Sequence, residues 1–144
     1  MAAPDFYYVV NSTARHLHDA YGKEALIAYW RALGEEYYRK RIENWRIGGL
    51  RAVAVDWQAY FLEEPGAEVQ VTVEAEAVQL DVRVCPAIKH LRDNQREIVP
   101  YFCEHCDHVC GAMAKAANFH FSRSGGMGSC VQTFTTANTG QAQC

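Results

Sequence analysis

The hydrophobic period of the chain changes at Pro65 and Gly66, and that change sets the fold classes open to it. Before it, Ala25, Leu26, Tyr29, Trp30, Leu33, Tyr37 and Ile42 recur at steps of three and four, the repeat of an amphipathic helix. After it, Val69, Val71 and Val73 alternate with Glu68, Gln70, Thr72 and Glu74. Val78, Leu80, Val82 and Val84 then repeat the pattern, as half-buried strands do. The connection near Ala75–Ala77 is short, which predicts an antiparallel hairpin.

The remaining elements follow from local signals. Residues 1–10 are expected to form a loose N-terminal arm. Asn11, Ser12 and Thr13 supply N-cap chemistry for helical sequence that runs to about Trp45. Gly22 divides it into a short and a long helix, and Gly48 and Gly49 end it. A second long helix is predicted over Leu50–Glu63, with Pro65 and Gly66 as its stop. Pro86 opens a short helix in PAIKHLRDN. A further helix is predicted from about Pro100 to Ala117. NFHFSR, with Phe119 and Phe121 on one side, and SCVQTFTT, with apolar Val131 and Phe134, read as strands joined by the glycine-rich turn SGGMG. Residues 136–144 are polar and expected to be disordered. The predicted architecture is one α+β domain over 1–144. Its N-terminal helices pack on a four-stranded antiparallel sheet made of two hairpins, with two further helices between the hairpins.

Hydrophobic residues make up 49% and charged residues 22% of the chain, and its net charge is −3, so nothing points to nucleic acid or an anionic membrane as partner. Apolar runs fall short of a membrane span, and the N-terminus lacks a secretory pattern. A cytoplasmic protein is expected, with a small-molecule substrate as partner and homo-oligomerisation left open. Six cysteines in a reducing compartment then read as free thiols, metal ligands or catalytic thiols rather than disulfides.

Five of the six lie between residues 85 and 130. On a helix, Cys103, Cys106 and Cys110 share one stripe with Asp107 nearby, while His105 and His108 form a second. The three helical cysteines are too close along the helix to bridge one another easily. Cys85 ends a strand just before Pro86, and Cys130 follows the glycine turn, so both sit where a rigid scaffold can aim them at a site. Cys85, Cys103 and Cys130 are therefore expected to converge. With His108, His105 or His120 as fourth ligand they suit zinc, and the three thiolates alone suit an iron–sulfur cluster. Alternatively one thiolate is a nucleophile, and Cys103, placed in the first turn after Pro100, is the leading choice. Cys106 and Cys110 continue an apolar stripe with Val109, Met113 and Ala114 and read as packing residues. His16, His18 and His90 read as surface residues, and His120 faces away from Phe119 and Phe121.

The order of these features resembles the L-2-amino-thiazoline-4-carboxylic acid hydrolase family. The likeness rests on the helical N-terminal region, a strand leading into CPAIKHL, Tyr101-Phe102-Cys103, and Gly128-Ser129-Cys130 before an alternating strand, and it spans roughly residues 20–135. What the resemblance implies is hydrolytic opening of a five-membered sulfur–nitrogen ring, with Cys85, Cys103 and Cys130 as the residues carried over. Cys106, Cys110 and the two histidines of EHCDH stand outside that pattern. A more distant resemblance to small-molecule-binding domains of the vinyl-reductase type implies a ligand pocket.

Three functions are expected to compete. The first is a hydrolase acting on a C–N bond other than a peptide bond, in a cyclic amidine or thiazoline-like ring. In it Cys103, or water on zinc held by Cys85, Cys103, Cys130 and His108, attacks, and His108 or His105 moves protons. Asp107 orients an imidazole, Arg123 holds a substrate carboxylate as a two-pronged donor, and Gly128 admits substrate. The second is a zinc or iron–sulfur protein, as redox enzyme or sensor. The third is a pocket domain that binds a small ligand without turning it over.

Overall fold

The computed structural model describes residues 5–137. Helix α1 spans Phe6–Tyr21 and α2 Lys23–Ala32, hinged at Gly22 as expected. A π-helical turn, Leu33–Tyr37, leads to α3, Arg39–Glu63, which is interrupted at Gly49 (φ 68°). Strands β1 (Glu68–Val73) and β2 (Ala77–Val84) are followed by α4 (Pro86–Asp93) and α5 (Glu104–Ala116). Strands β3 (Phe119–Gly126) and β4 (Ser129–Thr136) complete the chain. The fold is α+β, with one four-stranded antiparallel sheet in the order β1-β2-β4-β3. Among the described residues no helix is long and apolar enough to cross a membrane.

The sheet's inner face grades from apolar to polar along the strands. One row across it is Val78, Phe134 and Phe121; the next is Leu80, Gln132 and Arg123; the third is Val82, Cys130 and Gly125. At the apolar end, Phe134 packs edge-on to Trp45 of α3 at 5.5 Å between ring centres, and Trp57 lies 6.3 Å away. At the other end the sheet meets the N-terminal half of α5. Val131 is exposed while Phe134 is buried, so the two apolar positions assigned to the last strand lie on opposite faces, as period two requires. Gly34 allows α5 to approach the π-helical turn. A Cβ there would stand 2.5 Å from the Val109 carbonyl oxygen, closer than any side chain tolerates.

Three expectations are corrected. The arm assigned to residues 1–10 is helical from Phe6, because Tyr7 is buried and its hydroxyl donates to Glu64 Oε2 at 2.7 Å. Asn11 is not a cap. It lies inside α1, 1% exposed, where its amide donates to the Glu97 carbonyl at 2.7 Å and its oxygen accepts from the Val99 N–H at 3.1 Å. It thereby anchors the segment that leads to α5. Asn11→Ala is expected to destabilise the protein by about 2–3 kcal/mol, because the Val99 N–H is left buried without a partner. The urea midpoint measures this, and Arg15→Ala, whose partner at Glu97 keeps Asn11, should lose far less. Finally, α5 starts at Glu104 rather than Pro100, and Cys103 is its N-cap residue. The tail assigned to residues 136–144 starts later, since Thr136 ends β4, and from residue 138 onward that expectation lies outside the described residues.

Candidate functional site

The β3–β4 connection is the centre of the cysteine arrangement. It consists of Met127 and Gly128, both at positive φ (55° and 132°), which turns the chain tightly between Gly126 and Ser129. A methionine in that conformation is strained relative to glycine. The strained residue directs its amide outward: Met127 N–H donates to the Cys103 Sγ at 3.1 Å, and its own sulfur lies 3.9 Å from the same atom. A Cβ on Gly126 would stand 3.4 Å from the Cys103 Sγ, and one on Gly125 3.1 Å from the Cys130 Cα. The Cys85 N–H donates to the Gly128 carbonyl at 2.8 Å. One four-residue stretch, 125–128, thus touches Cys85, Cys103 and Cys130, which arrive from a strand end, a helix cap and the start of the next strand.

The five described thiols are free. Burial pushes the Cys85 thiol up, opposed by the backbone amides of Ile88 and Ala87 at the start of α4, and charge on Cys130 and Cys103 pushes it further. Burial likewise pushes Cys130 up, against a hydrogen bond from Gln132 Nε2 at 3.5 Å and the positive charge of Arg123. Cys106 is raised well above the usual thiol range, first by burial and then by charge on Cys110, Cys85, Cys130 and Cys103. Cys110 is buried and pushed up to about 12. Cys110 fits the packing role given to it, since a buried thiol keeps its proton, while Cys106 is only half-buried.

Arg123 and Asp107 form a bidentate pair beside this cluster, with Arg123 Nε 2.8 Å from Asp107 Oδ1 and Arg123 Nη2 2.7 Å from Oδ2. Arg123 Nη1 donates to the Gly125 carbonyl, and Arg92 Nη2 donates to the Met127 carbonyl at 2.8 Å. The hydrogen bonds that Arg123 donates to Asp107 push the Arg123 pKa up, so its charge is permanent. Two assigned roles are thereby corrected. Asp107 orients an arginine rather than an imidazole, and the two-pronged face of Arg123 is occupied by Asp107 rather than open to a substrate carboxylate. The pair instead clamps the turn onto α5. Gly128 faces Arg92 and Ile88 of α4, and Gly126 is the glycine that lies against Cys103.

The two histidines of α5 occupy the helix stripe that faces α2. His108 stacks on Trp30 at 5.8 Å with planes 14° apart, and His105 meets the same ring edge-on at 6.0 Å. Burial lowers the His105 pKa to about 4 and also lowers His108, helped there by Arg31. Their ring contacts are therefore with an indole and not with Cys103. His120 is exposed on the outer sheet face, and His18, read as a surface residue, stacks on Tyr101 at 4.4 Å. Among the described residues no group of three or more His, Cys, Asp or Glu is placed to hold a metal ion. Two clefts open elsewhere, one along α1 at Ser12, Arg15 and Asp19 and one at Tyr38, Arg41 and Asp56, and no cysteine lines either.

Met127 and Gln132 belong to the site and were not legible as such. A methionine flanked by glycines in SGGMG is the only trace of the first, because the amide that matters carries no side-chain signature. Gln132 follows from strand parity once Cys130 is placed on the inner face. Neither the known protein-family models nor the curated proteins contain a match to this chain.

Proposed function

We propose that this protein is a small-molecule hydrolase that opens a C–N bond in a cyclic amidine or thiazoline-like ring, with Cys103 as nucleophile. The observation that carries this reading is the contact of one turn, 125–128, with Cys85, Cys103 and Cys130 together. The family resemblance rests on the same three cysteines. The Cys103 sulfur accepts the Met127 amide hydrogen bond and stands at the N-cap of α5, whose positive end favours an anion.

In the proposed step the Cys103 sulfur bonds to the amidine carbon, the ring C–N bond breaks, and the departing nitrogen takes up a proton. Water then cleaves the carbon–sulfur bond and returns the thiol, so that one water is added overall. Cys130, whose thiol burial pushes up, supplies the proton. Arg123 and Asp107 are positioning residues, holding the turn so that the Met127 amide stays on Cys103. The substrate is a small heterocycle and the compartment the cytoplasm, where these thiols stay reduced.

Product analysis of the wild type and of Cys103→Ser with the thiazoline carboxylate of the resembled family and a panel of cyclic amidines tests this. The wild type is expected to turn over at least one of them, and Cys103→Ser, with unchanged circular dichroism, to lose turnover by orders of magnitude, as replaced nucleophiles do. Equal turnover by both proteins, or none by the wild type on any compound, overturns it.

A further inference from the structure

Cys106 stands outside the family resemblance and has no part in the step above, yet its place relative to Cys103 is specific. Because α5 begins at Glu104, Cys103 is the N-cap residue and Cys106 lies one turn in, with only Glu104 and His105 between them. Three successive bonds of the tight kind close this entry: Glu104 N–H to Tyr101, His105 N–H to Phe102, and Cys106 N–H to the Cys103 carbonyl at 3.1 Å. A turn closed by that last bond holds the two Cα atoms within about 7 Å. Disulfides span Cα separations of about 4.4–6.8 Å.

Side chains three apart also share a helix face. Both thiols are free, and pairing them departs from the expectation that the helical cysteines are too close to bridge, because the tight turn at the helix start closes between these two residues. Cys110, a turn further and sealed in the core, stays outside any exchange. The two thiols are unequal in the way an exchanging pair requires. Cys103 lies beneath the β3–β4 turn, where its sulfur meets the Met127 amide and sulfur, while Cys106 lies one turn further into α5 and burial pushes its thiol up.

We propose that Cys103 and Cys106 are a dithiol–disulfide pair that exchanges with low-molecular-weight disulfides. The Cys103 thiolate attacks one sulfur of the small disulfide, forming a mixed disulfide and releasing one small thiolate. That thiolate takes the Cys106 proton, the Cys106 sulfur attacks Cys103, and a second small thiol leaves. Two protein thiols are oxidised to one disulfide, and one small disulfide is reduced to two thiols. The inference rests on Cys103 being the reactive thiol, as in the hydrolase reading, and the oxidised pair would switch that hydrolase off.

The test reads linkage rather than turnover, so failure of the hydrolase reading does not decide it. The full chain is equilibrated with mixtures of glutathione and oxidised glutathione, quenched by alkylation, digested and mapped by mass. A 103–106 cross-link that forms with the loss of two hydrogens and reverses on reduction is expected. Cys106→Ser, with Cys106→Ala as a second variant, should raise the glutathionylated fraction at Cys103 by roughly tenfold, since the resolving thiol is gone. No cross-link in the wild type, or one that joins Cys103 to Cys130 or Cys85 to Cys130 instead, overturns the proposal. Should both variants unfold, the wild-type map alone decides.

Discussion

Trp45→Ala is expected to lower the free energy of unfolding by about 3–5 kcal/mol, a large share of the roughly 5–15 kcal/mol that holds a domain together. Trp45 is fully buried and sits where α3 meets the sheet. Its ring packs edge-on against Phe134 at 5.5 Å and lies 6.4 Å from Trp57, so deletion opens a void between the helix layer and the sheet. Its Nε1 also donates to Asp56 Oδ2 at 2.6 Å. Asp56 keeps Arg41 at 3.8 Å after the change, so the loss is mainly one of packing rather than of an orphaned charge. Trp45→Phe, which retains a ring against Phe134, should recover most of the deficit. The measurement is the urea midpoint at unchanged slope. A loss below about 1 kcal/mol for the alanine variant would place it among ordinary surface changes and deny Trp45 its role at this junction.

Acidification is expected to destabilise the protein through α5. His105 has its pKa lowered from 6.5 to about 4 by burial. Above about pH 6.5 the imidazole is neutral in both folded and unfolded chains and contributes no pH dependence. Below that, the unfolded chain binds a proton that the folded chain refuses until about pH 4, so stability falls as pH falls across this window. At about 1.4 kcal/mol per unit, the loss is on the order of 2–3 kcal/mol, and His108, shifted in the same direction, adds to it. His105→Phe keeps an aromatic edge on Trp30 without the titration. Thermal unfolding of both proteins at about pH 7.5 and about pH 4.5 should show a shallower fall for the variant. Parallel falls in the two proteins would mean that other groups carry the acid sensitivity. His105 lies on the helix that carries Cys106 and Asp107, so acid stability and the candidate site share one element.

Much of the scaffold was legible because two repeat lengths leave little freedom. Strands β1 and β2 follow from the alternation of Val69–Val73 and Val78–Val84, and the breaks at Gly22, Gly49 and Pro65 follow from backbone chemistry. The start of α5 was misplaced by four residues because Pro100 begins a series of turns rather than the helix itself. Asn11 was misjudged because an asparagine near a helix start carries the same local signal whether it caps its own helix or reaches 88 residues along the chain to Val99.

What the sequence alone determined is therefore the set of elements and the faces they bury, together with two cysteines, Cys85 and Cys130, at strand ends near Pro or Gly and a third, Cys103, at a helix start. Those properties are local: they depend on period, on backbone freedom and on positions a few residues apart. Only the tertiary structure decided which partners these residues meet. It sent Asp107 to Arg123 instead of a histidine, laid His105 and His108 on Trp30, gave Cys103 the amide of Met127, and left Cys106 one turn behind it. The physical reason is that such pairings depend on how far one element is rotated and shifted against another. That placement is set by the summed packing of the core, to which no single short stretch of sequence holds the key.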